Sequence, residues 1–186
     1  MATVLFFHSV LGLRPIESEI AAVLESDGHQ VMLPDLYDGR SVDDYHGGFA
    51  LKNQIGEEFI NARAADAVDR SPDDVVFSGV SLGDFLIGQF WERRPKSRGA
   101  FLIAGGPPWM SPRWEGYPVS AHIARPDPFD DEVVFEEWDR AAGSVSLDLH
   151  RYDGVGHYFL DRSLQDYNQP AAELCIERFR SFLKSL

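Results

Sequence analysis

Short, wholly apolar runs alternate with stretches of helical periodicity from one end of this sequence to the other. That alternation restricts the fold to an α/β arrangement, a mostly parallel sheet with helices on both faces. Residues 3–8 are apolar enough to be a strand buried on both sides. Helical spacing follows through Ile16, Ile20, Val23 and Leu24 and stops near Asp27-Gly28. A short strand is expected over 30–33, ended by Pro34, and then a polar, turn-rich loop over 35–48. The spacing of Ile55, Phe59, Ile60 and Val68 predicts a helix over 54–70. A strand is expected over 74–78, a helix onward to Arg93, and a strand over 99–103 that Gly105-Gly106-Pro107-Pro108 interrupts. Residues 109–117 lack periodicity. A strand over 118–124, a helix over 131–142 and an alternating strand over 144–152, with Val145, Leu147 and Leu149 on one side, come next. An amphipathic helix over 168–186 closes the chain, with Leu174, Phe179, Phe182 and Leu183 inward. With no repeats or linkers, the 186 residues are expected to form one domain, 1–186.

The composition supports a packed core: 44% of residues are hydrophobic and 12% aromatic. A formal charge of −13 argues against nucleic-acid binding and against an anionic membrane surface. Cys175 stands alone, so no intrachain disulfide can form, and its helical setting predicts a buried thiol. The first residues lack the basic segment of a signal peptide, and no apolar stretch approaches the about 18 residues of a membrane span. A cytoplasmic protein is expected. No ligand spacing for a metal, no Walker loop and no dinucleotide fingerprint occurs, so neither metal nor cofactor is expected.

The chemistry is concentrated at Gly79-Val80-Ser81-Leu82-Gly83, a G-x-S-x-G sequence between an apolar strand and a helical pattern. A serine held there sits on a sharp strand-to-helix turn that only glycine tolerates two residues before and after. The amide of Leu82 then points at the oxygen of a bound carbonyl, with the helix dipole behind it.

A serine hydroxyl needs a general base, and histidine titrates near neutrality. In this arrangement the order along the chain is serine, acid, histidine, which leaves His122, His150 and His157. The first two fall inside expected strands. His157 lies in Asp153-Gly154-Val155-Gly156-His157, a glycine-bearing loop at the carboxyl edge of the sheet, where ligands of open α/β sheets bind. Asp127, in the stiff segment Arg125-Pro126-Asp127-Pro128, is the expected acid. Asp130 is the alternative, although Asp130 and Asp131 suit the start of the following helix better. A second oxyanion donor is expected from His8-Ser9-Val10-Leu11-Gly12, with the Val10 amide preferred; His8 and Ser9 either line the pocket or are buried beside it.

Taken together these segments resemble the dienelactone hydrolase family over nearly the full length. The resemblance is carried by Phe7-His8-Ser9-Val10-Leu11-Gly12-Leu13, Gly28-His29-Gln30-Val31, Leu33-Pro34-Asp35-Leu36-Tyr37-Asp38-Gly39, His122-Ile123-Ala124-Arg125-Pro126-Asp127-Pro128-Phe129 and Tyr152-Asp153-Gly154-Val155-Gly156-His157-Tyr158-Phe159. It implies an α/β-hydrolase fold in minimal form, without a large cap, and supports Asp127 and His157 in the roles above. The chain departs from the family in three places. Ser81 stands where the family has a cysteine nucleophile, and Ser9 stands near the place of a glutamate that activates the thiol. Asp161, with Arg162 beside it, stands where an arginine holds the substrate carboxylate.

The implied activity is hydrolysis of a small-molecule carboxylic ester by a monomer or homodimer. A thioesterase or acyltransferase with the same triad, and a non-catalytic binding protein, are the competing readings. Trp109, Met110, Trp114 and Tyr117 either wall an apolar pocket, with Tyr158 beside the histidine, or pack their loop onto the body. The acidic loop with Asp35, Asp38, Asp43 and Asp44 would discourage anions if it faced that pocket.

Overall fold

The computed structural model describes residues 1–186. Six strands form one sheet: β1 (Thr3–Phe7), β2 (Gln30–Met32), β3 (Val76–Val80), β4 (Gly99–Ile103), β5 (Pro118–Arg125) and β6 (Ser146–Asp153). Their spatial order is β2-β1-β3-β4-β5-β6, and every pairing is parallel. The helices are α1 (Pro15–Ser26), α2 (Tyr45–Ile55), α3 (Glu57–Arg70), α4 (Leu82–Phe90), α5 (Glu132–Ala141) and α6 (Gln169–Ser185), with a 3-10 turn over Trp91–Arg93.

Alternation along each strand divides the core into two layers. Val4 and Phe6 of β1 join Val76, Phe101 and Ile103 under α1 and α6. Leu5 and Phe7 join Phe77, Ala100 and Leu102 under α2, α3, α4 and α5. Strands that are apolar on both sides are therefore explained by helices on both sides. Because β1 runs out to β2 and the chain then crosses back to β3, the strand order reverses between β1 and β3, and a crevice opens at their carboxyl ends.

Three sequence expectations need correction. The loop expected over 35–48 ends early, because Tyr45 already begins α2, and the helix expected over 54–70 is two helices broken at Gly56. α2 carries Gly47 and Gly48, poor helix formers in isolation. Its place is set by contact instead: a Cβ on Gly48 would lie 3.0 Å from the Val10 carbonyl oxygen, so glycine lets α2 rest directly on the loop after β1. In α6 the inward stripe runs through Ala171, Cys175, Phe179 and Leu183, while Leu174 lies off it and is exposed. Cys175 is buried, as expected, and no helix is long and apolar enough to cross a membrane.

Candidate active site

Ser81 follows β3 and stands at the N-terminus of α4 with φ 54° and ψ −103°, a conformation costly for a residue with a Cβ. The two flanking glycines are sterically required. A Cβ on Gly79 would lie 2.5 Å from the carbonyl carbon of Gly83, and one on Gly83 would lie 2.4 Å from the Phe7 carbonyl oxygen at the end of β1. The elbow is anchored by the Ser81 amide donating to the Ile103 carbonyl at 2.8 Å.

The other two residues arrive from the next strand ends. Asp127 follows β5 and His157 follows β6, and both side chains are almost fully buried. His157 Nδ1 lies 2.7 Å from Asp127 Oδ2, and His157 Nε2 lies 3.0 Å from Ser81 Oγ. The other carboxylate oxygen of Asp127 accepts the Phe129 amide at 2.9 Å. An ionised carboxylate only accepts, so Nδ1 carries the proton and Nε2 faces the serine as an acceptor. Asp131 is the residue preceding α5, and Asp130 lies at the pocket wall without bonding to the imidazole.

Two aromatic rings hold the imidazole edge-on, Phe129 at 4.6 Å and Tyr45 at 5.8 Å between centroids. Tyr45 Oη donates to Asp166 Oδ2 at 2.5 Å, and the same oxygen accepts the Tyr158 amide at 3.0 Å. Asp166 thus fastens the histidine loop to α2.

A pocket of about 200 Å³ opens over Ser81 and His157, walled by Val10, Tyr45, Phe49, Phe85, Phe129 and Asp130 and floored by the strand end at Ala104–Gly106. A second groove of about 190 Å³ adjoins it, sharing Val10, Phe49, Ser81 and Phe85 and adding Leu82 and Lys52. Val10 and Leu82 line this crevice, and neither amide donates to an acceptor within the chain. Three of the exposed large apolar side chains, Phe49, Phe85 and Phe129, gather at this mouth, the kind of patch that marks a binding surface.

Several expected pocket residues lie elsewhere. Trp109 is stacked between Trp91 at 5.9 Å and Trp138 at 4.4 Å, with its Nε1 donating to the Trp138 carbonyl, and Trp114 packs edge-on against Tyr117. These rings fasten their loop to the body. Tyr158 points away from the pocket and donates its hydroxyl to Glu17 at 2.8 Å; burial pushes the Glu17 carboxyl up to about 7. His8 is buried and neutral, its burial lowering its pKa. Its Nδ1 donates to the Ser9 carbonyl and its Nε2 accepts the Leu36 amide. Ser9 Oγ accepts the Leu11 amide. Both residues brace the loop that carries Val10. The acidic loop does not face the pocket either: Asp35 accepts amides of its own turn, Asp43 pairs with Arg14 and Asp44 caps α2. Asp161 is buried against Arg14 Nε at 2.5 Å, a structural ion pair that does not line the pocket over Ser81.

Tyr45, Phe49, Phe85 and Phe129 were not legible as pocket residues. Their spacing is that of ordinary amphipathic helices and loops, and only the tertiary fold brings them together. Asp84 also escaped notice. It sits in the first turn of α4 beneath the elbow, fully buried, with neither carboxylate oxygen bonded, and its burial pushes its pKa well above the usual carboxylate range. When folding raises the pKa of a carboxyl, the unfolded chain releases that proton at lower pH, so the folded state is progressively penalised as pH climbs above about 4. Asp84→Asn removes that penalty. Relative to wild type its unfolding free energy should rise by about 1.4 kcal/mol for each pH unit above that point, up to the native pKa. Urea denaturation at pH 5, 6, 7 and 8 checks this; a pH-independent difference would show that Asp84 is charged in the folded protein.

A strained serine turn at the switch point of a parallel sheet, within hydrogen-bond reach of a histidine from a later strand end, has the form of the α/β-hydrolase fold. Solved structures agree on the fold. A dienelactone hydrolase-like promiscuous phosphotriesterase from metagenomic libraries superposes with a TM-score of 0.78, at 17% identity, covering 100% of this chain and 87% of that one. An esterase from Thermogutta terrifontis superposes at 0.72, with 15% identity, covering 99% and 83%. The model of the dienelactone hydrolase family matches residues 1–186, and the chain belongs to that family of carboxylic ester hydrolases. A carboxymethylenebutenolidase from Rhodococcus opacus is 25% identical over 188 residues, covering 91% of this chain and 74% of the relative.

Proposed function

We propose that this protein hydrolyses carboxylic esters of small molecules through a Ser-His-Asp triad and an acyl-enzyme intermediate. Ser81 Oγ attacks the ester carbon as His157 Nε2 takes its proton, and Asp127 holds the ring and stabilises the imidazolium. The Leu82 and Val10 amides receive the oxyanion, each donor worth about 3–4 kcal/mol. His157 then returns the proton to the departing alcohol, and water, deprotonated by the same imidazole, releases the acid. The observation that carries this reading is the continuous series Ser81 Oγ, His157, Asp127 at 3.0 and 2.7 Å.

Proton return fixes which half of the substrate goes where. The alcohol oxygen must lie toward His157, so the leaving group occupies the side walled by Tyr45, Phe129 and Asp130. The acyl group occupies the groove of Leu82, Phe49 and Phe85. Ring-rich walls favour apolar groups on both sides, and Asp130 disfavours an anionic alcohol.

A fluorophosphonate probe tests the reading directly. Wild type should be labelled stoichiometrically at Ser81, as mapped by mass spectrometry, and Ser81→Ala should not be labelled. Absence of labelling in wild type would leave a binding protein of hydrolase fold.

A further inference from the structure

The face of the sheet under α6 becomes polar at its far edge. Ser120 and His122 of β5 and Ser146, Asp148 and His150 of β6 alternate, so they share this face, and Ser120 pairs with Asp148 and His122 with His150 across the two strands. His122 is fully buried behind the others, which with Arg178 and Ser181 of α6 border a groove of about 370 Å³ near the amino ends of β5 and β6; it shares no residue with the pocket over Ser81. Burial holds the His122 imidazole well below its ordinary pKa, and it is therefore neutral.

Arg178 fixes the first of the hydrogen bonds behind this groove. Arg178 Nη1 can only donate, and it donates to Tyr152 Oη at 3.1 Å. The Tyr152 hydroxyl is then free to donate to His122 Nδ1, 2.8 Å away. In that arrangement the neutral imidazole carries its proton on Nε2 and donates it to Ser120 Oγ, 2.9 Å away. In the same arrangement the proton of Ser120, a residue 4% exposed, has no acceptor in the chain. Arg178 pairs with no carboxylate, although the sequence holds 30 acidic residues. One end of the groove therefore presents a guanidinium and a buried hydroxyl, both as donors. Asp148, paired with His150 at 2.9 Å and otherwise open to solvent, supplies acceptors a few residues away.

We infer that this groove binds a small hydroxylated carboxylic acid, its carboxylate on Arg178 and Ser120 and its hydroxyl donating to Asp148. A monoanion matches the single guanidinium, whereas Asp148 opposes the second charge of a phosphate.

Titration of the wild-type protein with glycerate at constant ionic strength, followed through the imidazole proton resonances of His122 and His150, tests the inference. Acetate and inorganic phosphate serve as contrasting probes. Glycerate should give saturable shifts with a dissociation constant of about 1 mM or tighter. Acetate should bind about tenfold more weakly for want of the hydroxyl. Arg178→Met should abolish saturation. Because that change also removes a bond to Tyr152, Ser120→Ala provides a second variant that leaves this bond in place, and it should weaken glycerate about tenfold. Shifts that never saturate, or that both variants leave unchanged, would overturn the site. Tighter binding of phosphate than of glycerate would overturn the ligand class.

Discussion

Replacing Ser81 with alanine is expected to lower kcat/KM for nitrophenyl esters by about a millionfold, with the thermal melting curve unchanged. The magnitude follows from how the site is connected. Ser81 Oγ has one partner in the chain, His157 Nε2, so its loss severs no structural bond and removes only the atom that would become acylated. His157→Ala should fall nearly as far, and the double variant little further, because a base without its nucleophile does nothing. What remains over water should be the contribution of the binding walls and the Leu82 and Val10 amides. Substantial activity in Ser81→Ala would remove the acyl-enzyme mechanism.

Asp127→Asn should lower kcat by about ten-thousandfold while changing KM far less. The asparagine oxygen can keep the Phe129 amide bond, which leaves its NH2 group facing His157 Nδ1. The imidazole must then accept at Nδ1 and carry its proton on Nε2, turned toward Ser81. The ring stays in position with the wrong nitrogen protonated. Asp130→Asn is the control: Asp130 borders the pocket without bonding to the imidazole, and its replacement should change kcat less than tenfold. A larger effect at Asp130 than at Asp127 would reverse the assignment of the acid.

The strands themselves and the residues at their carboxyl ends were legible because both depend on local chemistry. Ser81, Asp127 and His157 announce themselves through glycine, proline and apolar punctuation that only a strand end and its turn require. α2 did not, because Gly47 and Gly48 oppose helix formation and its position is set by a contact between Gly48 and Val10, far apart in the chain. The tryptophans misled for a related reason. Aromatic content reports that a large ring must be buried, not what buries it, and Trp109 found Trp91 and Trp138 instead of a substrate. The pocket walls come from four separate segments whose convergence no single segment records.

The approach of Gly83 to the Phe7 carbonyl has a consequence for how such a protein can diversify. Main chain there meets main chain with no side chain between them, so the spacing between the serine turn and the end of β1 has no adjustable part. Variation is left to the rings of α2, α4 and the Phe129 loop. Selection for a new ester would remodel the vestibule while inheriting the anvil unaltered.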